Sequence, residues 1–294
     1  MNYRGRFAPS PSGPLHFGSL VAAMGSYLDA RKRQGKWLIR IEDIDPPREV
    51  AGAADSILRT LESLGFEWDE SVLYQSTRLD AYGEAMNELQ QKNILYPCFC
   101  SRSEIQALGV AGAEGVIYPG TCRTRPISRS NSGAKRHAIR LITQDRPVIF
   151  TDEIRGTISQ NIAREIGDFI LRRADGLFAY QLAVVVDDAY QGITDVVRGA
   201  DLLTSTPRQI YLQQLLDLPT PNYKHLPLVT DKNGQKLSKR LGSDPINMTN
   251  PVAVLISALS FLNQPLPPEH PASIAEFWRW AIAQWNHLRT IDPK

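Results

Sequence analysis

An α/β fold built on a parallel sheet is predicted by three features of the sequence. Short apolar strands alternate with helical patterns along most of the chain. Residues 3–43 run strand, glycine-containing turn, helix and strand, the order of a βαβ unit. With 294 residues, 43% of them hydrophobic, the chain can bury a sizeable core and divide it among two or three subdomains.

The elements follow in order. Tyr3 to Ala8 reads as a strand stopped by Pro9 and Pro11, and "SLVAAMGSYLDARKRQ" from Ser19 has apolar residues at helical spacing with a basic end. "KWLIRIED" alternates as a second strand, and helices are predicted over about Glu49–Leu64 and Thr77–Lys92. The rhythm breaks over about 94–192, which holds all three cysteines, a polar basic run, and the strand-like segments "RPVIFTDEIRG" and "DFILRRADG". It returns through "AYQLAVVVDDAYQGITDVVRG" and the helix "TPRQIYLQQLLDL". We therefore divide the chain into two halves of one parallel-sheet domain, 1–93 and 193–244, with an insertion at 94–192 and a helical tail at 245–294.

Composition excludes several classes of protein. Thirty-three basic against 31 acidic residues leave a net charge of +2, so any nucleic-acid footprint must be local. The first residues contain no apolar core of a signal peptide. No stretch approaches the roughly 18 apolar residues of a membrane span. An odd number of cysteines does not suit a secreted disulfide framework. A cytoplasmic monomer is expected.

Two segments carry chemistry. "RFAPSPSGPLHFGS" leaves the carboxyl end of the first strand, where open α/β sheets bind ligands. Gly13 and Gly18 let the backbone approach a bound group, and the following helix offers free N–H groups and a positive dipole end to a phosphate. His16, just before that helix, is placed to donate to a phosphate oxygen. An ordinary Pro-rich connection has the same composition. "DKNGQKLSKRLG" sets Lys236, Ser238, Lys239 and Arg240 in a glycine-flanked loop, which suits a polyphosphate whose charge moves toward its leaving group.

As a pair, "PxxxLHFGS" and "KLSKR" resemble the HIGH and KMSKS signatures of class I aminoacyl-tRNA synthetases. "RFAPSPSGPLHFGS", "IRIEDIDPPRE", "VVVDDAYQGITDVVRGADLLTSTPRQIYL" and "LPLVTDKNGQKLSKR", in that order over residues 3–245, resemble the glutamyl-tRNA synthetase catalytic domain. The last histidine of the first signature is Ser19 here, and the last serine of the second is Arg240. The resemblance implies a Rossmann-like class I fold and activation of glutamate by ATP, with magnesium carried on the nucleotide. It assigns catalysis to His16 and Lys239. ATP contacts fall to Pro9, His16, Gly18, Ser19, Lys236, Leu237, Ser238, Lys239 and Arg240. Arg6 and Arg198 match the family positions for the γ-carboxylate, which a planar guanidinium binds bidentately. Glu42 fits the α-ammonium, and Tyr180, the Ala8 backbone and Ser10 complete the pocket. Taken singly, Arg198 could equally be a surface ion pair with Asp195 or Asp201, and Glu42 a strand-end acid beside Asp43 and Asp45.

"YPCFC" and "YPGTC" supply Cys98, Cys100, Tyr118 and Cys122. Three sulfurs fit either a metal site or three free thiols in a reducing compartment. The resemblance favours one structural zinc in the insertion, with Tyr118 as fourth ligand and His137 or water as the alternatives. Arg123, Arg125, Arg129, Lys135, Arg136 and Arg140 follow; they read as an RNA backbone contact or an exposed loop.

Only residues 241–294 follow the KLSKR loop, too few for the anticodon-binding region of full-length family members. Shortened bacterial relatives transfer activated glutamate to the cyclopentenediol of queuosine in the anticodon of tRNA(Asp), and the HFGS, KLSKR and Cys-x-Cys…Tyr-x₃-Cys patterns resemble theirs. A truncated synthetase charging a tRNA 3′ end and a catalytically silent RNA-binding relative are the alternatives.

Overall fold

The structure, a computed structural model, describes residues 2–112, 114–124, 136–229 and 246–286. The first βαβ unit consists of β1 (Arg4–Phe7), α1 (Phe17–Lys32) and β2 (Lys36–Ile41), with β1 and β2 parallel. Helix α2 (Ala53–Ser63), strand β3 (Leu73–Tyr74) and helix α3 (Leu79–Gln91) follow. The sequence placed the start of α2 at Glu49. A 3₁₀ turn at Pro46–Arg48 and the positive φ of Gly52, 73°, delay it to Ala53.

The middle of the chain contributes β4 (Leu95–Cys98), α4 (Arg102–Leu108), β5 (Val110–Gly112), β6 (Gly115–Ile117), β7 (Ala138–Leu141), β8 (Pro147–Asp152), β9 (Gly156–Asn161), α5 (Ile162–Glu165) and β10 (Ile170–Arg172). Then come α6 (Tyr180–Tyr190), β11 (Asp195–Gly199), α7 (Thr206–Leu215) and β12 (Asn222–Leu226). The tail holds α8 (Pro251–Phe261) and α9 (Ile274–Gln284).

One layer has the order β3-β2-β1-β11-β12-β8-β9. The ladders pair β1 with β2, β2 with β3, β11 with β12 and β12 with β8 in parallel, while β9 returns antiparallel along the edge. The join between β1 and β11 is made by the Thr194 amide, which donates to Arg4 O at 3.0 Å, and by the Arg4 amide, which donates to Thr194 Oγ1 at 2.9 Å. The β8–β9 hairpin lies within the stretch read as an insertion, yet it widens the main sheet, with Asp152 in register with Tyr223.

Strand residues alternate between the two faces, as period-two geometry requires. Trp37, Ile39, Ile41, Val197 and Leu226 join α1, α2, α8 and α9 in one core, whereas Leu38, Val196 and Tyr223 join α3, α6 and α7 in another. Helices therefore cover both faces, the doubly wound arrangement. The tail is part of the fold. Trp278 of α9 packs edge-on against Tyr27 and Phe66, and its indole N–H donates to Leu64 O at 2.8 Å. Gly65, at φ 74°, turns the chain beneath it; a Cβ there would lie 2.5 Å from Ile274 Cγ2. A separate antiparallel sheet, β10-β7-β4, carries the cysteine knuckle. Among the described residues no helix is long and apolar enough to cross a membrane.

Candidate active site

The strand order reverses between β1 and β11, which is where an open α/β sheet leaves a crevice beyond its carboxyl edge. A cleft of about 780 Å³ occupies that position. Its walls bring together Arg6, Ala8, Pro9, Ser10, His16, Gly18, Ser19, Glu42, Tyr180 and Arg198, each of which the sequence singled out. A side cavity of about 280 Å³ shares Ser10, Glu42 and Tyr180 with it. Lys236, Leu237, Ser238, Lys239 and Arg240 lie outside the described residues, as do Arg125, Arg129 and Lys135 of the basic run.

Helix α1 begins at Phe17, two residues earlier than the sequence placed it, because His16 itself is the N-cap. Its Nδ1 accepts from the Ser19 amide at 3.2 Å. An accepting Nδ1 leaves the proton of a neutral imidazole on Nε2, 2.9 Å from Ser19 Oγ. Cap and helix dipole together present hydrogen-bond donors and positive potential to the cleft, the arrangement that binds phosphate.

Below this end lies a buried charge network. Asp188 of α6 accepts from Arg6 Nε at 3.1 Å and from Arg40 Nη1 at 2.8 Å, and Arg40 also reaches Glu42 at 3.4 Å. Burial pushes the Asp188 carboxyl up, but Arg6 and Arg40 more than offset it, and the net shift is downward. Glu42 is displaced upward, because burial outweighs the pull of Arg40 and Arg6. Asp43 and Asp45 are engaged elsewhere, Asp43 with Ser76 and Asp45 with Arg173, so Glu42 is no mere member of an acidic strand end.

Arg198 is only 5% exposed, and it pairs with neither Asp195 nor Asp201. Its Nε donates to His225 Nε2 at 3.1 Å, and its Nη2 donates to Thr206 Oγ1 and Gln209 Oε1, both at 2.8 Å. Its Nη1 lies 3.5 Å from Tyr180 Oη. Among the described residues no carboxylate is within ion-pairing distance of this guanidinium. A buried cation surrounded by neutral partners is costly unless an anion joins it.

Arg40, Asp188, His225, Thr206 and Gln209 belong to the site and were not singled out from the sequence. One signal was present for Asp188: an acidic pair, Asp187–Asp188, inside the apolar run "LAVVVDDAY" must find buried cationic or hydrogen-bonding partners.

The insertion brings its three sulfurs together. Cys98, Cys100 and Cys122 Sγ lie within 4.8 Å of one another, a group that does not include His137. Tyr118 Oη is 3.4 Å from Cys98 Sγ and 3.9 Å from Cys100 Sγ, and it accepts from the Cys122 amide at 2.9 Å. Burial and the neighbouring thiols push Cys100 up to about 11, so a metal binding here must displace protons. One member of the basic run turns inward. Arg140 is 7% exposed, stacks 3.7 Å over the Tyr118 ring and donates to Asp168 O, so it is not an exposed RNA contact. Arg123 and Arg136 remain at the surface.

Residues 2–249 match the family described as tRNA synthetases class I (E and Q), catalytic domain. The chain belongs to this family, and it is a ligase of the aminoacyl-tRNA synthetase type. It is 53% identical over 287 residues to a Dechloromonas aromatica protein named glutamyl-Q tRNA(Asp) synthetase, covering 97% of this chain and 94% of that one. A Pseudomonas fluorescens protein of the same name is 51% identical over 286 residues, covering 97% and 92%. The crystal structure of glutamate-tRNA synthetase from Elizabethkingia anophelis superposes with a TM-score of 0.82 at 25% identity, over 99% of this chain and 68% of that one. A glutamate tRNA ligase from Elizabethkingia meningosepticum, in complex with its amino acid, gives 0.79 at 26%, over 97% and 65%.

Asp188→Asn leaves the buried Arg6 without its counter-charge and Arg40 with Glu42 alone, 3.4 Å away, and is expected to cost about 3–5 kcal/mol in chemical denaturation. Because the Asp188 carboxyl is lowered from 3.8, its contribution is present above that value and is lost as pH falls through the lowered one. The variant's stability profile should therefore be flatter over that acid window than the parent's.

Proposed function

We propose that the protein activates L-glutamate with ATP and transfers it to queuosine in the anticodon of tRNA(Asp). The observation that carries the amino-acid half is Arg198, a buried guanidinium with no carboxylate partner among the described residues, facing the same cleft as Glu42. A ligand with a carboxylate at one end and an ammonium near the other satisfies both. Glutamate places its γ-carboxylate on Arg198 and Arg6, and its α-ammonium at Glu42, with Tyr180, Ser10 and the Ala8 backbone completing the contact. Ammonium binding favours the ionised form of Glu42, which burial disfavours in its absence.

In the first step an oxygen of the α-carboxylate attacks the α-phosphorus of ATP, and pyrophosphate leaves with its bond electrons. No enzyme nucleophile is required; positioning and charge stabilisation carry the step. His16 and the amino end of α1 support the α-phosphate. Lys239, with Lys236, Ser238 and Arg240, meets the charge that grows on the leaving pyrophosphate. Magnesium arrives with the nucleotide and neutralises phosphate charge. In the second step a cyclopentenediol hydroxyl attacks the adenylate carbonyl, AMP departs, and the hydroxyl proton passes to the AMP phosphate or to solvent.

The acceptor is supported by the names of relatives at 51–53% identity over 97% of the chain. The sulfur cluster, with Tyr118 as fourth ligand, fits one zinc ion that ties the knuckle together without entering the reaction. A site in the cytoplasm, where ATP and tRNA are found, accords with this reading.

Arg198→Ala is expected to abolish glutamate-dependent ATP–pyrophosphate exchange; near-normal exchange at modest glutamate would remove this residue from the pocket. Cys100→Ser should lower zinc, measured by metal analysis, from about one ion per chain to a small fraction, and an unchanged content would refute the ligand set. The acceptor is settled by incubating the protein with ATP, labelled glutamate and total tRNA, then digesting with nuclease. Label in a queuosine-dependent anticodon fragment is expected, whereas label on a 3′-terminal adenosine would establish a compact charging enzyme instead.

A further inference from the structure

We propose that His225 is a positioning residue for the cleft's carboxylate-binding arginine, with Asp152 holding its proton on Nδ1 so that the bare Nε2 accepts from Arg198 Nε. The inference rests on the proposed role of Arg198, and it names the device that sets that side chain.

The geometry is a buried relay. His225, on β12, has no solvent exposure, and its Nδ1 lies 2.6 Å from Asp152 Oδ2. Asp152, on β8 and 1% exposed, is itself fixed: its Oδ1 accepts from the Ile154 and Arg155 amides at 3.0 and 2.8 Å. A carboxylate at Nδ1 demands the Nδ1–H tautomer, which leaves Nε2 with a lone pair and no proton. Arg198 cannot accept, so the 3.1 Å contact forms only with this tautomer. Thr206 Oγ1, 3.1 Å from Nε2, closes the same group from α7. His225, Thr206 and Gln209 together take up Nε and Nη2 of Arg198, and Nη1 is left beside the cleft-lining Tyr180. The guanidinium is thus held in one orientation before substrate arrives, which cuts the ordering cost of binding.

The tautomer has a pH dependence of known sign. The charged or titratable groups facing His225 are Asp152 and Arg155 from β8 and the turn after it, Arg198 from β11, Arg6 from β1, and Tyr223 on its own strand. Burial pushes the imidazole below 6.5, Arg198 and Arg6 act in the same direction, and Asp152 opposes them. Protonation at low pH puts an N–H against the Arg198 N–H and a second positive charge beside it. Glutamate binding should weaken as pH falls below the ordinary histidine range, while ATP binding should not follow it.

The test compares two variants in ATP–pyrophosphate exchange. His225→Gln keeps an acceptor near the Nε2 position, and His225→Asn does not. For His225→Asn the KM for glutamate is expected to rise about tenfold or more, the scale of one hydrogen bond to a charged group. Its KM for ATP should stay near the parent value, His225→Gln should recover most of the loss, and the acid limb of the glutamate KM should shrink to the part set by Glu42. Equal losses for both variants, or parallel rises in both KM values, would overturn the proposal and leave His225 a packing residue. A second measurement depends on neither variant's activity nor on glutamate as substrate. Imidazole ¹⁵N shifts of the labelled parent protein, with the His225 signals assigned by their loss in His225→Gln, should show Nδ1 protonated and Nε2 bare at neutral pH. An Nε2–H tautomer would overturn the relay. Absence of any exchange by the parent protein would instead overturn the substrate assignment, and the ¹⁵N result would still decide the relay.

Discussion

Asp188 holds two arginines from adjacent parallel strands under the floor of the cleft, and the geometry of the site depends on that triad. Arg6 and Arg40 arrive on β1 and β2, whose side chains at those positions point toward α6, and a shared carboxylate satisfies both. Arg40 then reaches Glu42, so one network fixes two of the charged groups that line the cleft, Arg6 and Glu42. Counted with Arg198, the floor sets three guanidiniums against two carboxylates. The excess positive charge is shielded from water, and low dielectric makes it more attractive to an anion than the same charge at the surface. A cleft with this floor favours an anion before any shape complementarity is considered.

The roof of the cleft works by a different principle. There the positive potential comes from the amino end of α1, whose Ser19 amide is capped by the His16 imidazole. Such a site suits a phosphate because it offers many donors in a fixed array without the side-chain entropy of a lysine or arginine cluster. Its position is secured from behind. α1 is sandwiched between the sheet and the tail helices, and the aromatic cluster of Tyr27, Trp37, Phe66 and Trp278 locks the layers together. The short tail thereby supports, from behind, the helix whose amino end faces the cleft.

The hairpin β8–β9 links two regions that the sequence separates. It belongs to the stretch that also carries the cysteine knuckle, yet it lies on the edge of the main sheet and delivers Asp152 to His225. Parallel pairing between β12 and β8 needs no sequence proximity, only compatible edges, and it places Asp152 behind His225, which touches the cleft-lining Arg198. The buried Lys224–Asp29 pair, 2.7 Å apart and joined by the Tyr3 hydroxyl at 2.8 Å, ties the opposite face of β12 to α1.

Much of this protein is determined by local sequence. The alternation of "KWLIRI", the proline-stopped first strand, the glycine after α2 and the helical tail all act over a few residues, and the corresponding elements form close to where their patterns place them. The residues that line the cleft were legible too, through the resemblance of four ordered segments to the glutamyl-tRNA synthetase catalytic domain. Residues one layer deeper were not. Asp188, Arg40, His225 and Asp152 stand in apolar or mixed surroundings, and nothing in their neighbours names a partner 73 or more positions away. Arg140 makes the same point in reverse: its place in a basic run suggests exposure, and only the packing of β7 against the knuckle turns it over Tyr118. Sequence by itself determined the elements and the turn from β1 into α1, since those depend on local backbone preference. Tertiary structure alone decided how buried charges pair, because a charge takes its partner from whatever the fold brings within a few ångströms.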